Sequence, residues 1–149
     1  MIGGETPASG NVISGNLGDG ISITDDCAIA FSEPSLGHRI TQNLIGVGSD
    51  GVTLLGNAGR GINLEACPPM GELRDAFVGQ QQPGQQGLGN VIAGNSIGIR
   101  TRNVELTRIA GNAIGTDRSG ALNLGNLGDG LRLDSSSELA VGQDFFGAG

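Results

Sequence analysis

The one histidine of the chain, His38, stands beside Arg39, and two adjacent acids, Asp25 and Asp26, precede them. Histidine changes charge near neutral pH, so a histidine that faces carboxylates and an arginine can exchange protons with a substrate. That chemistry requires all four side chains to line one groove. The repeat counterpart of His38 is Thr107, which indicates a surface or corner position. The four residues are therefore candidates only, and we assign no catalytic residue.

Other acidic residues recur at equivalent repeat positions. Asp19 and Asp129 each stand before a glycine, and the equivalent position between them holds Arg60. An arginine there interrupts any stack of carboxylates, and Asp before Gly is typical of a tight turn. Asp50 and Asp117 lie in equivalent loops and favour the same interpretation. We expect all four acids to shape turns.

The sequence offers few metal ligands. One histidine and two cysteines are too few for a structural zinc site. The nonapeptide calcium repeat needs Asp at a fixed step after paired glycines. No Asp follows the Gly3-Gly4 pair in that register. We therefore expect neither a metal nor another cofactor.

Cys27 and Cys67 each follow a short strand pattern of the same repeated module. If the two strands stack as neighbours, about 4.8 Å apart, the cysteines are close enough for a disulfide. If a further strand separates them, they are not. Two small apolar residues that fill corners would give the same pattern, so both alternatives stay open.

Glycine makes up 29 of the 149 residues and recurs at regular places. Residues 43–64 match residues 112–133 without a gap. We therefore interpret residues 1–149 as one domain made of two long repeat units, 2–77 and 78–141, with approximate bounds. Both ends of the chain stand at the same point of the repeat unit, which favours the interpretation that the chain is a piece of a longer repeat array.

Short alternations of aliphatic and polar residues, such as Ile21-Ser22-Ile23 and Ile62-Asn63-Leu64, are strand patterns. Pairs that contain Gly, Asn or Asp stand between them and suit tight corners. No stretch has the apolar spacing of a helix. The spacing predicts an all-β chain with three short strands in each coil of about 20–25 residues, and therefore about six coils.

Eight asparagines recur at corner positions, and two explanations of them stay open. Their amides can bond along a stack of coils, or their tolerance of the left-handed conformation can serve single turns. Neither explanation makes them a binding site. The eight are Asn11, Asn16, Asn43, Asn57, Asn90, Asn95, Asn112 and Asn126.

The motif Gly-Asn-x-Ile-x-Gly-Asn, at residues 10–16 and 89–95, and the segment 111–120 resemble right-handed parallel β-helix repeat proteins. These include pectate-lyase-like solenoids and repeat arrays of bacterial secreted or cell-surface proteins. The resemblance covers nearly the whole chain and implies a single right-handed parallel β-helix. It also implies a secreted or cell-surface location, although we expect no signal peptide within this chain.

The same resemblance implies two classes of function. We expect a non-catalytic structural or adhesive segment, with weak glycan or protein binding, because catalysis needs a unique constellation and the two units are nearly alike. The alternative is a polysaccharide lyase or glycoside hydrolase. Similar enzymes use aspartate-bound Ca²⁺ with an arginine base, or two to three carboxylates. Only under that alternative would calcium be bound and would Asp25, Asp26, His38 and Arg39 share one groove.

The charge and the apolar pattern limit the partners. A net charge of −7 argues against nucleic acid and anionic membrane surfaces. No apolar run approaches the roughly 18 residues of a membrane span. A polysaccharide or a surface protein remains as a partner. Open strand edges at Val12 and Val141 also predict self-association through the coil ends, or continuation into more coils.

Overall fold

The computed structural model describes residues 1–6, 9–25, 35–67, 73–80 and 89–142. Within those ranges the regular structure is all strand, which confirms the all-β prediction. The strands are β1 (Ile2–Gly3), β2 (Val12–Ile13), β3 (Ile21–Thr24), β4 (Ser35–Leu36), β5 (Arg39–Thr41), β6 (Leu44–Ile45), β7 (Ile62–Glu65), β8 (Leu73–Arg74), β9 (Phe77–Gly79), β10 (Val91–Ile92), β11 (Ile99–Arg102), β12 (Arg108–Ala110), β13 (Ala113–Ile114), β14 (Leu131–Asp134) and β15 (Ala140–Val141).

Three larger sheets each receive one strand in turn as the chain advances. Sheet A has the order β1-β5-β9-β12-β15, sheet B β2-β6-β10-β13, and sheet C β3-β7-β11-β14. A small fourth sheet joins β4 to β8. All pairings between these strands are parallel. The chain therefore visits sheets A, B and C in the same order on every pass, and we number the passes from 1, which begins at β1, to 4, which begins at β12.

One pass is longer than the expected coil of about 20–25 residues. Residues that pair along sheet A are 38, 38, 31 and 32 positions apart in sequence, from Ile2 through Ile40, Val78 and Ile109 to Val141. The described residues thus make four passes and add β15 as the first strand of a fifth. The prediction of about six coils is wrong because it assumed one short spacing between all strands, whereas long connections lengthen every pass.

Side chains alternate along each strand between the inside and the outside of the stack. Equivalent inward positions hold aliphatic residues, such as Ile21, Ile62 and Ile99 of sheet C, which are 5%, 0% and 0% exposed. Fully burying one such side chain contributes about 1.5–3 kcal/mol. Equivalent residues thus meet across neighbouring passes and form one continuous core.

Two hairpins stand on the outer face of sheet B. Residues 47–54 and 116–123 leave the sheet after β6 and β13, and an antiparallel bridge joins the ends of each segment. A small apolar cluster, separate from the core, is formed by Val47, Val91 and Ala93. These hairpins lengthen the connection from sheet B to sheet C in passes 2 and 4.

A column of left-handed residues lies at the corner before sheet A. Asp75, Leu106 and Glu138 each stand two residues before a sheet A strand and have φ of 54°, 51° and 51°. Gly37 holds the same place before β5, with φ of 69°. The left-handed conformation costs a non-glycine residue roughly 1–2 kcal/mol.

Leu106→Gly is expected to leave the free energy of unfolding unchanged or to raise it by up to about 1 kcal/mol. The left-handed strain is relieved, and the side chain that is lost is 42% exposed. Leu55, which is 49% exposed and has no positive φ, is the matched control. Leu55→Gly should lower stability by about 0.5–1 kcal/mol. Urea unfolding that ranks Leu106→Gly below Leu55→Gly would contradict the assignment of strain.

Candidate functional site

The eight repeated asparagines form two ladders that flank sheet B. The first ladder precedes the sheet B strands and the second follows them. The first ladder is Asn11, Asn43, Asn90 and Asn112, and the second is Asn16, Asn57, Asn95 and Asn126.

Every ladder step has the same bonding pattern. The backbone N–H and the side-chain Nδ2 of one asparagine both donate to Oδ1 of its counterpart in the next pass. The Nδ2 to Oδ1 distances are 3.0, 3.0 and 2.8 Å in the first ladder and 2.8, 2.7 and 3.3 Å in the second. In passes 2 to 4, Nδ2 also donates to a main-chain carbonyl, for example from Asn90 to Ile40 at 2.8 Å. Asn43, Asn90 and Asn95 are 0% exposed, so these bonds satisfy amides that would be costly to bury without partners.

The ladders decide between the two explanations of the repeated asparagines. Bonding along the stack is confirmed, and the left-handed explanation is wrong because none of the eight has a positive φ. A preceding glycine supplies that conformation in several passes, as Gly15 does before Asn16 and Gly94 before Asn95, with φ of 71° and 74°.

The described candidate acid–base residues lie at different sheets of the structure. Asp25 follows β3 of sheet C, and its N–H donates to the Glu65 carbonyl at 3.0 Å. Arg39 begins β5 of sheet A and lies 3.7 Å from a carboxylate oxygen of Glu5. Asp26 lies outside the described residues. None of the described candidates lines either of the two grooves on the outer faces of sheets A and B.

His38 precedes β5 at an inward corner. The register of sheet A places it in one column with Ala76 and Thr107, which are 1% and 0% exposed, whereas His38 is half-buried. The sequence predicted a surface or corner position, and the corner alternative fits half-buried His38, whereas Thr107 is fully buried. Threonine is accommodated there because its hydroxyl donates to the Glu105 carbonyl at 3.2 Å.

Cys67 lies two residues after β7 and takes part in a disulfide bond. The other cysteine of the chain, Cys27, lies outside the described residues. Thr24 pairs with Glu65, so the segments that follow β3 and β7 start side by side on neighbouring passes. The Cys27–Cys67 pairing stays a prediction.

Arginine neutralises the repeated acids at the start of sheet C. Asp19 Oδ1 accepts from the backbone N–H of Arg60 at 2.7 Å and lies 3.3 Å from its Nε. Asp129 binds Arg132 at 2.7 Å. The predicted interruption of the carboxylate stack by Arg60 is confirmed, since the arginine pairs with the acid of the pass before it.

A second group of charges crosses the outer face of sheet C. Arg100 lies between Glu65 and Asp134 of the neighbouring passes, at 3.3 and 2.9 Å. Arg102 reaches Glu65 at 3.1 Å. Each carboxylate here faces an arginine from another pass, so the cluster ties passes 2, 3 and 4 together.

Asp50 and Asp117 close the two hairpins, which confirms their predicted role in turns. Oδ1 of Asp50 accepts from the N–H groups of Val52 and Thr53 at 3.0 and 2.9 Å. The Thr53 hydroxyl and these N–H groups lower the pKa of Asp50 to about 2. A hydrogen bond from the Ser119 hydroxyl lowers the pKa of Asp117 in the same way.

This pKa predicts how acid affects the first hairpin. A carboxyl whose folded pKa lies below its unfolded value of about 3.9 contributes stability that is complete above that value. The contribution is lost as pH falls through about 2. We expect an NMR titration of the Asp50 carboxyl to give a midpoint near 2, and Asp50→Asn to remove this acid-dependent part. A midpoint near the unfolded value would contradict the hydrogen bonding in the hairpin.

The hairpins border the first groove, of about 350 Å³, on the outer face of sheet B. Its lining combines the apolar side chains of Val12, Leu44 and Val91 with the polar chain around Asp50 and Asp117. Apolar walls with a few polar groups are what small-molecule and saccharide sites present. The sequence signal for this groove is the extra segment that follows Ile-Gly in alternate repeats. That signal predicts the two hairpins that border the groove, but it does not predict the residues that line the space between them.

The second groove, of about 300 Å³, lies on the outer face of sheet A. The Phe77 ring carries the Arg108 guanidinium at 5.4 Å from its centroid, which is within the distance of a cation–π contact. Asp75, Leu106 and Glu138 complete the wall. An aromatic ring beside carboxylates and an arginine can contact both the apolar face and the hydroxyls of a sugar.

The described residues contain no cluster of three or more His, Cys, Asp or Glu that could hold a metal ion. In the same parts of the chain, no helix is long and apolar enough to cross a membrane. Comparison of the chain with known protein families, curated proteins and solved structures gave no match.

Proposed function

We propose that the chain is a segment of a right-handed parallel β-helix that serves as a non-catalytic structural or adhesive element of a secreted or cell-surface protein. The observation that carries this proposal is the pair of ladders. They continue without a break through four passes and use every one of the repeated asparagines.

The sheet topology supports the helical winding. Every sheet gains its strands in order, one from each pass, as a single chain wound in one direction requires. Connections between parallel strands of one sheet are right-handed in about 98% of cases. The right-handed winding rests on that rule.

The pairing of charges supports a structural role. Arg100 binds both Glu65 and Asp134 and so links three passes. Asp50 and Asp117 accept hydrogen bonds from the backbone of their own hairpins. The ion pairs of Arg100 stabilise the stacking of neighbouring passes, and the bonds of the two aspartates stabilise their hairpins. An acid–base pair instead needs a carboxyl that is available to a substrate.

The adhesive part of the proposal rests on the two grooves. Both present apolar and hydrogen-bonding groups on the outside of a rigid sheet, the arrangement that a saccharide or an extended surface loop of another protein can contact. Weak binding of a glycan or of a surface protein is the expected outcome.

Assays on polygalacturonate and alginate, with and without Ca²⁺, test the proposal. We expect no unsaturated or reducing product above the rate without protein. Product formation that disappears in Asp26→Ala would overturn the non-catalytic assignment in favour of a polysaccharide lyase or hydrolase. Asp134→Ala, which changes an exposed-face carboxylate of the Arg100 cluster, is the matched control.

A further inference from the structure

We propose that copies of this chain join head to tail, with pass 4 of one copy stacked on pass 1 of the next. In this arrangement β15 of the first copy takes the place of β1 beside β5 of the second. The proposal rests on the proposed structural role and names its partner as a second copy. Its test measures association, so its failure is distinct from the appearance of polysaccharide activity.

The two ladders have a direction. Donors always lie in the earlier pass and the accepting Oδ1 in the later one. Among the described residues, no donor reaches Oδ1 of Asn11 or Asn16, and no acceptor meets the backbone N–H of Asn112 or Asn126. Only a head-to-tail stack brings these free donors onto these free acceptors.

Two leucines mark the same pair of surfaces. Leu17 in pass 1 is 98% exposed, and Leu127 in pass 4 is 88% exposed. They occupy one column of the repeat, and the passes between them hold Ala58 and Ser96 there. Stacked copies would place Leu127 about 4.8 Å from Leu17 of the second copy, one strand spacing away. The two largest exposed apolar groups of that column would then cover each other.

Sheet A carries a fifth strand, whereas sheets B and C have four each. In the stack, β15 of one copy and β1 of the next copy would compete for the edge of β5 in that next copy. Gly3 and Gly142 end these segments with φ of 91° and 92°. A Cβ on Gly3 would lie 1.8 Å from the Thr41 carbonyl oxygen of β5, whereas nothing lies within 4 Å of a Cβ on Gly142. The backbone at β15 therefore matches that of β1, which lies against β5, but no described residue lies against it in the same way.

Such a contact joins two different surfaces and repeats by translation along the stack. A heterologous contact that does not close into a ring generates an open-ended assembly. The edges of the end strands supply the main-chain hydrogen bonds, as in other additions of a strand to a sheet edge. We therefore expect a range of sizes that grows with concentration.

Sedimentation velocity over a wide concentration range tests the proposal. The wild-type average mass should rise above the 14.9 kDa of one chain. Leu17→Lys and Leu127→Glu, each alone, should raise the apparent Kd by about tenfold or more, equivalent to about 1.4 kcal/mol. The double variant L17K/L127E brings the introduced ammonium of one copy against the introduced carboxylate of the other only in a head-to-tail contact. It should recover association, and added salt should weaken it.

Leu55→Lys is the control, since Leu55 is 49% exposed and lies in pass 2, away from both ends. It should associate as the wild type does. A wild type that stays at the mass of one chain, or a double variant that associates no better than the single variants, would overturn the proposal.

Hydrogen exchange of the assembly tests the replacement of β1 by β15. Amides of Ile2–Gly3 should lose protection while those of Ala140–Val141 gain it, and protection retained at Ile2–Gly3 would rule the replacement out.

Discussion

Asn90→Ala is expected to lower the free energy of unfolding by about 3–5 kcal/mol. Asn90 is 0% exposed. Its Oδ1 accepts two bonds from Asn43, and its Nδ2 donates to Asn112 and to the Ile40 carbonyl. Alanine leaves these groups without their partner in a site that water does not reach, and each unsatisfied buried group costs about 1–3 kcal/mol. Since a domain has only about 5–15 kcal/mol in total, the variant should be close to unfolding.

Asn11→Ala is the matched control at the end of the same ladder. Asn11 is exposed, and its side chain bonds only to Asn43 among the described residues. Water can replace the lost amide there, so the cost should stay near 1 kcal/mol. Urea unfolding followed by circular dichroism gives both values. Equal losses of unfolding free energy in the two variants would show that the buried amide bonds of Asn90 stabilise the fold no more than the exposed bond of Asn11 does.

Gly46→Ala is expected to destabilise the fold by about 3–5 kcal/mol, with two causes. Gly46 has φ of 81°, and a Cβ there would lie 2.0 Å from the Ala93 carbonyl oxygen and 2.6 Å from Oδ1 of Asn95. The next pass would have to move away and would strain the second ladder. Strands held at a fixed spacing on both sides leave little room for that shift.

Gly115→Ala separates the two causes. Gly115 is the counterpart of Gly46 in the second repeat unit, with φ of 76°, but the nearest atom to its Cβ would be 3.7 Å away. It therefore retains the backbone strain, about 1–2 kcal/mol, without the clash. Thermal unfolding that gives both variants the same loss would contradict the close packing of passes 2 and 3.

Local patterns were sufficient to predict the strands and the recurrence of the asparagines, but they left open whether the asparagines form ladders or serve single turns. Ile21, Ile62, Ile99 and Leu131 begin parallel strands with residue-by-residue register because the same short motif recurs before each of them. The hydrogen bonds between asparagines of neighbouring passes decide that question in favour of the ladders. The pairing of Asp19 with Arg60 follows from the same alignment.

The length of a pass could not be predicted from local patterns. Segment 47–54 is as rich in Val, Thr and Leu as the strands of the stack, yet its ends bridge antiparallel within a hairpin. Whether such a segment joins a sheet depends on where its neighbours lie, and local sequence does not contain that information. The buried position of Thr107 was missed for a related reason, since its hydroxyl is satisfied by a carbonyl two residues away. The grooves likewise need the three-dimensional arrangement, because Phe77 and Glu138 meet only through stacking.

The exchange of side-chain amide protons, followed by NMR, tests the paired ladders most directly. We expect the Nδ2 protons of the buried asparagines Asn43, Asn57, Asn90 and Asn95 to exchange far more slowly than those of Asn123, which is exposed on the second hairpin. Asn11 and Asn16, at the open ends of the ladders, should fall between these limits at low protein concentration. Exchange of the four central amides as fast as that of Asn123 would contradict the ladders and, with them, the four-pass stack.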